Sequence, residues 1–171
     1  MISYRNATPE DGAMLGGIAR ATFLDAFGHL YKREDLEMFM RQGSDAAYAA
    51  ELAEPELEAR FAMLDDVPVG FVKVSPLQLP APTNGRKGWE LRQLYIFKPW
   101  QGAGIADELT RWAIDRARAR GAEDLWLSVY TENPRGRRFY ARHGFIEVAP
   151  YAFQVGTQAD EDILCRRPLD V

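Results

Sequence analysis

The 171 residues are 47% hydrophobic and 27% charged with a net charge of −4, values that suit one globular domain spanning 1–171 and exclude a disordered or fibrous chain. The balance is too acidic overall for a nucleic-acid binder, no apolar run approaches the ~18 residues that a membrane span needs, and the opening Met1-Ile2-Ser3-Tyr4-Arg5 lacks the build of a secretory signal. A cytoplasmic protein is expected, with no nucleic-acid or membrane partner. One cysteine, Cys165, and two histidines, His29 and His143, rule out an intrachain disulfide and a cysteine-rich metal site, so no metal is expected.

In chain order, Ile2 to Arg5 reads as a short strand. Thr8-Pro9-Glu10-Asp11 then supplies an N-cap, a proline at N1 and an acid at N3, the start of a helix whose buried stripe is Leu15, Ile18, Ala19, Thr22, Phe23 and Ala26. A second helix carries Leu36, Phe39 and Met40, and a third runs from near Ser44 to before Pro55. From Arg60 the period changes to two, and Phe61 to Leu64, an Asp65-Asp66 turn and Val69 to Val74 read as a hairpin. Gln78 to Gly88 is an exposed connection to the next strand.

The stretch Trp89 to Ala106, WELRQLYIFKPWQGAGIA, takes an apolar strand into a glycine-bearing turn that opens a helix ending at Gly121. Glycines at 102 and 104 let backbone N–H groups approach a ligand closely, and a helix start adds unpaired donors and positive dipole, so the expected guest is a phosphate. Paired glycines also occur for packing alone. Neither a Walker loop nor GxGxxG fits, because Ile105, Ala106 and Asp107 stand where those motifs need Lys, Ser or Thr, and Gly. Leu125 to Tyr130 is a further strand, Asn133 and Pro134 start a helix stopped by Gly144, and Phe145 to Val148 with Asp162 to Leu169 form a last strand pair around a loop from Tyr151 to Glu161.

Charge is unevenly spread. Residues 34–66 hold ten acids against Arg41 and Arg60, whereas 86–142 hold twelve Lys or Arg against seven acids. Two solvated helical faces would give this pattern; so would a basic half that meets an anion and an acidic half that attracts a cation.

Asn133-Pro-Arg-Gly136-Arg-Arg-Phe139-Tyr140-Ala-Arg-His-Gly144-Phe145 fixes an Asn, a small residue, an aromatic-Tyr pair and a Gly-Phe at set spacings. With Gln101-Gly-Ala-Gly104-Ile-Ala106 upstream, the combination resembles the GNAT superfamily of acetyl-CoA-dependent N-acetyltransferases, whose two motifs read [RQ]-x-x-G-x-[GA] and N-x-x-A-x-x-[FL]-Y-x-x-x-G-F. The element order agrees over nearly the whole chain. Gly136 departs from the usual Ala, which keeps small size but costs a helix about 1 kcal/mol.

That resemblance implies an α/β mixed fold with a single twisted central sheet, mostly antiparallel with one splayed parallel pair and helices on both faces. It implies acetyl-CoA as co-substrate, an amine acceptor as partner, and a monomer or homodimer. Gln101, Gly102, Ala103, Gly104, Ile105 and Ala106 would hold the pyrophosphate of coenzyme A by their backbone donors. Leu94, Tyr95 and Ile96 would run beside the pantetheine arm, with Asn133, Gly136, Phe139 and Tyr140 around it and Arg142 turned to the phosphates. Arg135, Arg138 and Arg142 share one helical face, equally suited to solvent. Asn133 is also an N-cap in its own right.

Tyr140 would protonate the departing thiolate, a task for a phenol that holds its proton at pH 7. Glu90, at the start of the motif strand, is the candidate general base, or else pairs with Arg92 or caps the sheet edge. The tail YAFQVGTQADEDIL is similar to that of bacterial spermidine/spermine N-acetyltransferases, which points to a cationic amine drawn to the acidic 34–66 segment, with His29, Tyr31, Glu90, Tyr151 and Asp160 on the acceptor side. Two other readings stand beside it: the same chemistry on a protein or peptide amine, and an acyl-CoA sensor without turnover.

Overall fold

A computed structural model describes residues 1–170. Seven strands form one sheet in the order β1-β2-β3-β4-β5-β7-β6, with β1 Ile2–Asn6, β2 Glu58–Leu64, β3 Val67–Pro76, β4 Gly88–Ile96, β5 Asp124–Tyr130, β6 Ile146–Val155 and β7 Gln158–Pro168. Every neighbouring pair is antiparallel except β4 and β5. The helices are α1 Gly12–Phe27, α2 Arg33–Gln42, α3 Asp45–Leu52, α4 Ile105–Ala119 and α5 Pro134–Arg142. None is long and apolar enough to cross a membrane.

Both sheet faces are covered, as the two hydrophobic patterns require. On one face α4 buries Ile105, Leu109, Ala113 and Ala117 against Val72, Val74, Leu125 and Leu127. On the other, Leu15, Ile18 and Ala19 of α1 meet Tyr48 and Leu52 of α3 over Phe61 and Phe71. Local capping agrees with the sequence: the Asp11 carboxylate accepts from the Thr8 N–H at 2.8 Å, Ser44 Oγ from Ala47 N at 3.1 Å and Asn133 Oδ1 from Gly136 N at 3.0 Å.

One reading needs correction. The Tyr151 to Glu161 segment is not a loop: β6 runs on to Val155 and β7 starts at Gln158, so the two strands form a long hairpin closed at Gly156 and Thr157. Tyr151, Phe153 and Val155 alternate with Ala152 and Gln154, the period of a strand, and Gly156 takes φ +58° in the turn. Asp35 of α2 secures that turn, its carboxylate accepting from the Thr157 N–H and hydroxyl, both at 2.7 Å.

The parallel pair is short. β4 and β5 share only Gly88↔Asp124, Trp89↔Leu125 and Glu90↔Trp126. Beyond that point β4 bulges: Lys73 of β3 faces Gln93 while Val74 faces Leu91, leaving Arg92 as the extra residue. The bulge turns β4 away from β5, and the sheet opens into a V between them. At the closed end Asp124, fully buried, accepts from Arg86 Nε at 2.8 Å and Nη2 at 3.0 Å and pairs with Arg166 Nη2 at 2.9 Å.

Burial alone would raise the Asp124 carboxyl, but the hydrogen bonds from Arg86 and Arg166 outweigh it and hold the group below its usual range. A carboxylate depressed in the folded state stabilises fully above its unfolded pKa and loses that contribution as pH falls through the folded value. Asp124→Asn is therefore expected to lose at least about 2 kcal/mol at pH 7 in denaturant unfolding, and the gap from wild type to close in strong acid.

Candidate functional site

The V between β4 and β5 holds a cleft of about 810 Å³ that reaches from the start of α4 to the loop before α2. Its walls are main chain and side chains of β4, the turn before α4, β5, α5 and β7. On β4, the Phe97 N–H donates to Val69 O at 3.0 Å, so the alternating main-chain groups of Leu94 and Ile96 point away from β3, into the opening. The Ile96 carbonyl already uses that direction, accepting from Gln101 Nε2 at 2.9 Å.

At one end the turn before α4 carries Gly102 at φ +83° and Gly104 at φ +81°. Nothing lies within 4 Å of where a Cβ would stand at either position, so glycine is required there by backbone conformation and not by crowding. Ile105, Ala106 and Asp107 are the first residues of α4, whose N–H groups have no acceptor within a helix. Together these amides make a concave set of donors under positive helix dipole, fit for a diphosphate. Arg135 from α5 leans over the turn, donating to Gln101 Oε1 at 2.7 Å, and Arg142 lies 4.0 Å from Asp107, which also meets His143 Nε2 at 2.8 Å.

Tyr140 sits in the middle of the cleft. Its ring packs against Phe139 at 5.3 Å and Phe145 at 5.6 Å, and its hydroxyl has no hydrogen-bond partner among the described residues. Burial, reinforced by nearby Cys165, pushes the phenol above its ordinary pKa, so it keeps its proton throughout the physiological range. Cys165 is 2% exposed, and burial raises its thiol to about 11, with Glu147 adding to the shift. It is a thiol and not a thiolate at neutral pH.

At the other end the cleft is lined by aromatic rings and acids: His29, Leu30 and Tyr31 from the turn after α1, Tyr95 from β4, Ser128 and Tyr130 from β5, and Asp160 and Asp162 from β7. Tyr31 donates its hydroxyl to Asp160, which also accepts from Gln158 Nε2 at 2.9 Å. Burial, then the bond to Asp160, holds the Tyr31 phenol protonated.

The structure thus gathers Leu94, Tyr95, Ile96, Gln101, Gly102, Gly104, Ala106, Asn133, Gly136, Phe139, Tyr140, Arg142, His29, Tyr31 and Asp160 around one cleft. It does not bring Ala103, Ile105, Glu90 or Tyr151 into the lining, and the Ile105 side chain is buried in the core. Glu90 is 7% exposed, and its Oε1 accepts from the N–H groups of Gln78 and Leu79, both at 2.9 Å, while Oε2 lies 3.8 Å from Arg92. It ties the β3–β4 connection to the sheet.

The acidic 34–66 segment is also elsewhere. Glu37 pairs with Arg33, Asp45 with Arg20, Glu51 with Lys73 and Glu58 with Arg116, and no acid of that segment lines the cleft. The acids that do include Asp160 and Asp162, of which only Asp160 was singled out from sequence. Two acids at i and i+2 share one face of a strand, but a loop ending at Glu161 leaves Asp160 outside the strand that Asp162 opens. No group of three or more His, Cys, Asp or Glu side chains placed to hold a metal occurs among the described residues.

Residues 24–145 match the sequence profile of the acetyltransferase (GNAT) family. The chain is 26% identical over 153 residues to the "Uncharacterized N-acetyltransferase in pepI 3'region" of Lactobacillus delbrueckii subsp. lactis, covering 89% of this chain and 88% of that one. It is 31% identical over 98 residues to the aminoalkylphosphonate N-acetyltransferase of Salmonella typhimurium, which spans 57% of this chain and 62% of the relative. In fold it is similar to the crystal structure of the PaiA N-acetyltransferase from Thermoplasma acidophilum in complex with coenzyme A, with a TM-score of 0.76 and 20% identity, covering 98% of this chain and 99% of the other.

Gly104→Ala is expected to fold with a loss of about 1 kcal/mol, since the added methyl meets nothing but must hold a left-handed backbone. The same variant should bind coenzyme A at least about tenfold more weakly in calorimetry, because the N–H groups of the turn leave their common aim.

Proposed function

The chain belongs to the acetyltransferase (GNAT) family, and from that premise we propose that it transfers the acetyl group of acetyl-CoA directly to the nitrogen of a primary amine, a small cationic amine such as a polyamine. The observation that carries this reading is the meeting, in one cleft, of an unpaired amide cradle and a partly buried phenol with no partner of its own. Acetyl-CoA brings a diphosphate, a long neutral arm and a thioester. Gly102 to Ala106 would take the diphosphate, since the Gln101 N–H is held by Lys98 O at 3.1 Å; Leu94 and the Ile96 N–H would offer open main-chain groups to the arm, and the thioester would come to rest near Tyr140.

Tyr140 is then the proton donor. As the C–N bond forms and the C–S bond breaks, the leaving sulfur needs a proton, and a phenol held neutral in a desolvated site has one to give. Asn133 keeps the first turn of α5 in place through its bond to Gly136 N, and that turn sets where Tyr140 points. Cys165, protonated and turned toward the Ile163 carbonyl, is unsuited to carry an acyl group, which favours direct transfer over an acyl-enzyme. A cationic acceptor fits the far end of the cleft, where Asp160 and Asp162 stand among aromatic rings. The likeness to an enzyme named for aminoalkylphosphonates keeps small amines with other substituents in view.

Tyr140→Phe should lower thiol release from acetyl-CoA at least about tenfold, about 1.4 kcal/mol of barrier, while coenzyme A affinity changes little. The measurement is a thiol-release assay run across polyamines, amino acids, aminoglycosides and peptide N-termini. Full turnover in the phenylalanine variant would remove Tyr140 from the reaction.

A further inference from the structure

Asp162 is a carboxylate that the fold buries with a single hydroxyl to compensate its charge. It is 7% exposed, lies on β7 where the strand passes the open V, and lines the cleft. It enters no ion pair among the described residues, and the Ser128 hydroxyl is the one neighbour that favours its charge. Its companion Asp160 differs in being already bonded to Tyr31 and Gln158. A buried carboxylate left in this state costs stability, and a cation arriving in the cleft would relieve that cost.

What faces Asp162 is consistent with such a guest. In register, Tyr130 of β5 and Tyr151 of β6 stand opposite it on either side, so all three side chains share one sheet face. Tyr31 reaches over from the turn before α2, and Tyr95 of β4 is close enough to both Asp162 and Tyr140 for each to disfavour its ionisation. The titratable groups that act on or respond to Asp162 are thus four phenols and Asp160, while His29, Arg92 and Lys98 line other parts of the same cleft. Aromatic faces and a free carboxylate are the chemistry that holds an ammonium.

Resting on the reading above, we propose that Asp162 seats the acceptor's ammonium group and removes its proton before transfer. The ammonium gives one proton to the Asp162 carboxylate and becomes a free amine. Its nitrogen lone pair forms the C–N bond at the thioester carbonyl, and the C–S pair leaves with the sulfur, which takes the Tyr140 proton. The second nitrogen proton restores Tyr140, the third stays on the amide, and Asp162 returns its proton to solvent.

A base must be ionised at working pH yet able to hold a proton, and burial, with Asp160 beside it and only Ser128 opposing, raises this carboxyl to about 6. Activity therefore needs the form present above that value and falls as pH drops through it.

The test measures thiol release with spermidine and with hydroxylamine, an amine already neutral at pH 8, in wild type and Asp162→Asn, together with spermidine binding by calorimetry. With spermidine, wild-type kcat/KM is expected to fall below about pH 6, and Asp162→Asn to lose about 100-fold at pH 8 together with that acidic limb. With hydroxylamine the deficit should shrink to about threefold or less, because no proton needs removing. Spermidine binding should weaken at least about tenfold in the variant. Equal losses with both amines, a retained acidic limb, or unchanged spermidine binding would each overturn the assignment. If wild type binds spermidine through Asp162 yet releases no thiol with either amine, the acetyl-transfer reading fails and the ammonium seat stands.

Discussion

The site depends on the parting of β4 from β5. Two parallel strands that stayed paired would close the sheet, and no cleft would exist. Three pairs hold them together, the bulge at Arg92 turns β4 aside, and the buried Asp124 between Arg86 and Arg166 pins the closed end. The same parting leaves main-chain groups of Leu94 and Ile96 without a strand partner, which elsewhere would be a fault in the sheet and here is an open edge for an extended ligand.

Burial then acts on two groups with opposite chemical results. Desolvation raises the pKa of the Tyr140 phenol and of the Asp162 carboxyl alike, since it penalises the charged form of each. A phenol raised from 10 is an acid that keeps its proton until a strong base develops beside it. A carboxyl raised toward neutrality is a base that can accept a proton and release it again. In the proposed reaction one cleft would make a donor and an acceptor out of ordinary side chains, with Tyr95 feeling the charge of both.

Much of this was legible in the sequence. Element order, the glycine turn before α4, the Asn133 cap and the Tyr140 motif follow from local rules of spacing and capping, and local rules survive folding. The acceptor side was less legible. Whether an acid is free depends on which arginine reaches it, and Glu51, Glu58 and Asp45 found partners far away in sequence. Glu90 lay in the right strand but its carboxylate is held by amides of a connection read only as exposed. Asp162 opens the last strand in the sequence reading, but a loop ending at Glu161 separates it from Asp160, and only the hairpin closed at Gly156 and Thr157 puts the two acids on one strand face.

The cradle amides, the Tyr140 hydroxyl and the Asp162 carboxylate would each gain from a partner, and all lie in the one cavity, whereas the unpaired Nε1 of Trp89, Nε1 of Trp126 and Oγ1 of Thr110 are buried outside it. Only the groups in the cavity can be met by a ligand. An anion at one end and a cation at the other would satisfy different groups without competing, and a thioester between them would lie where the phenol can reach its sulfur.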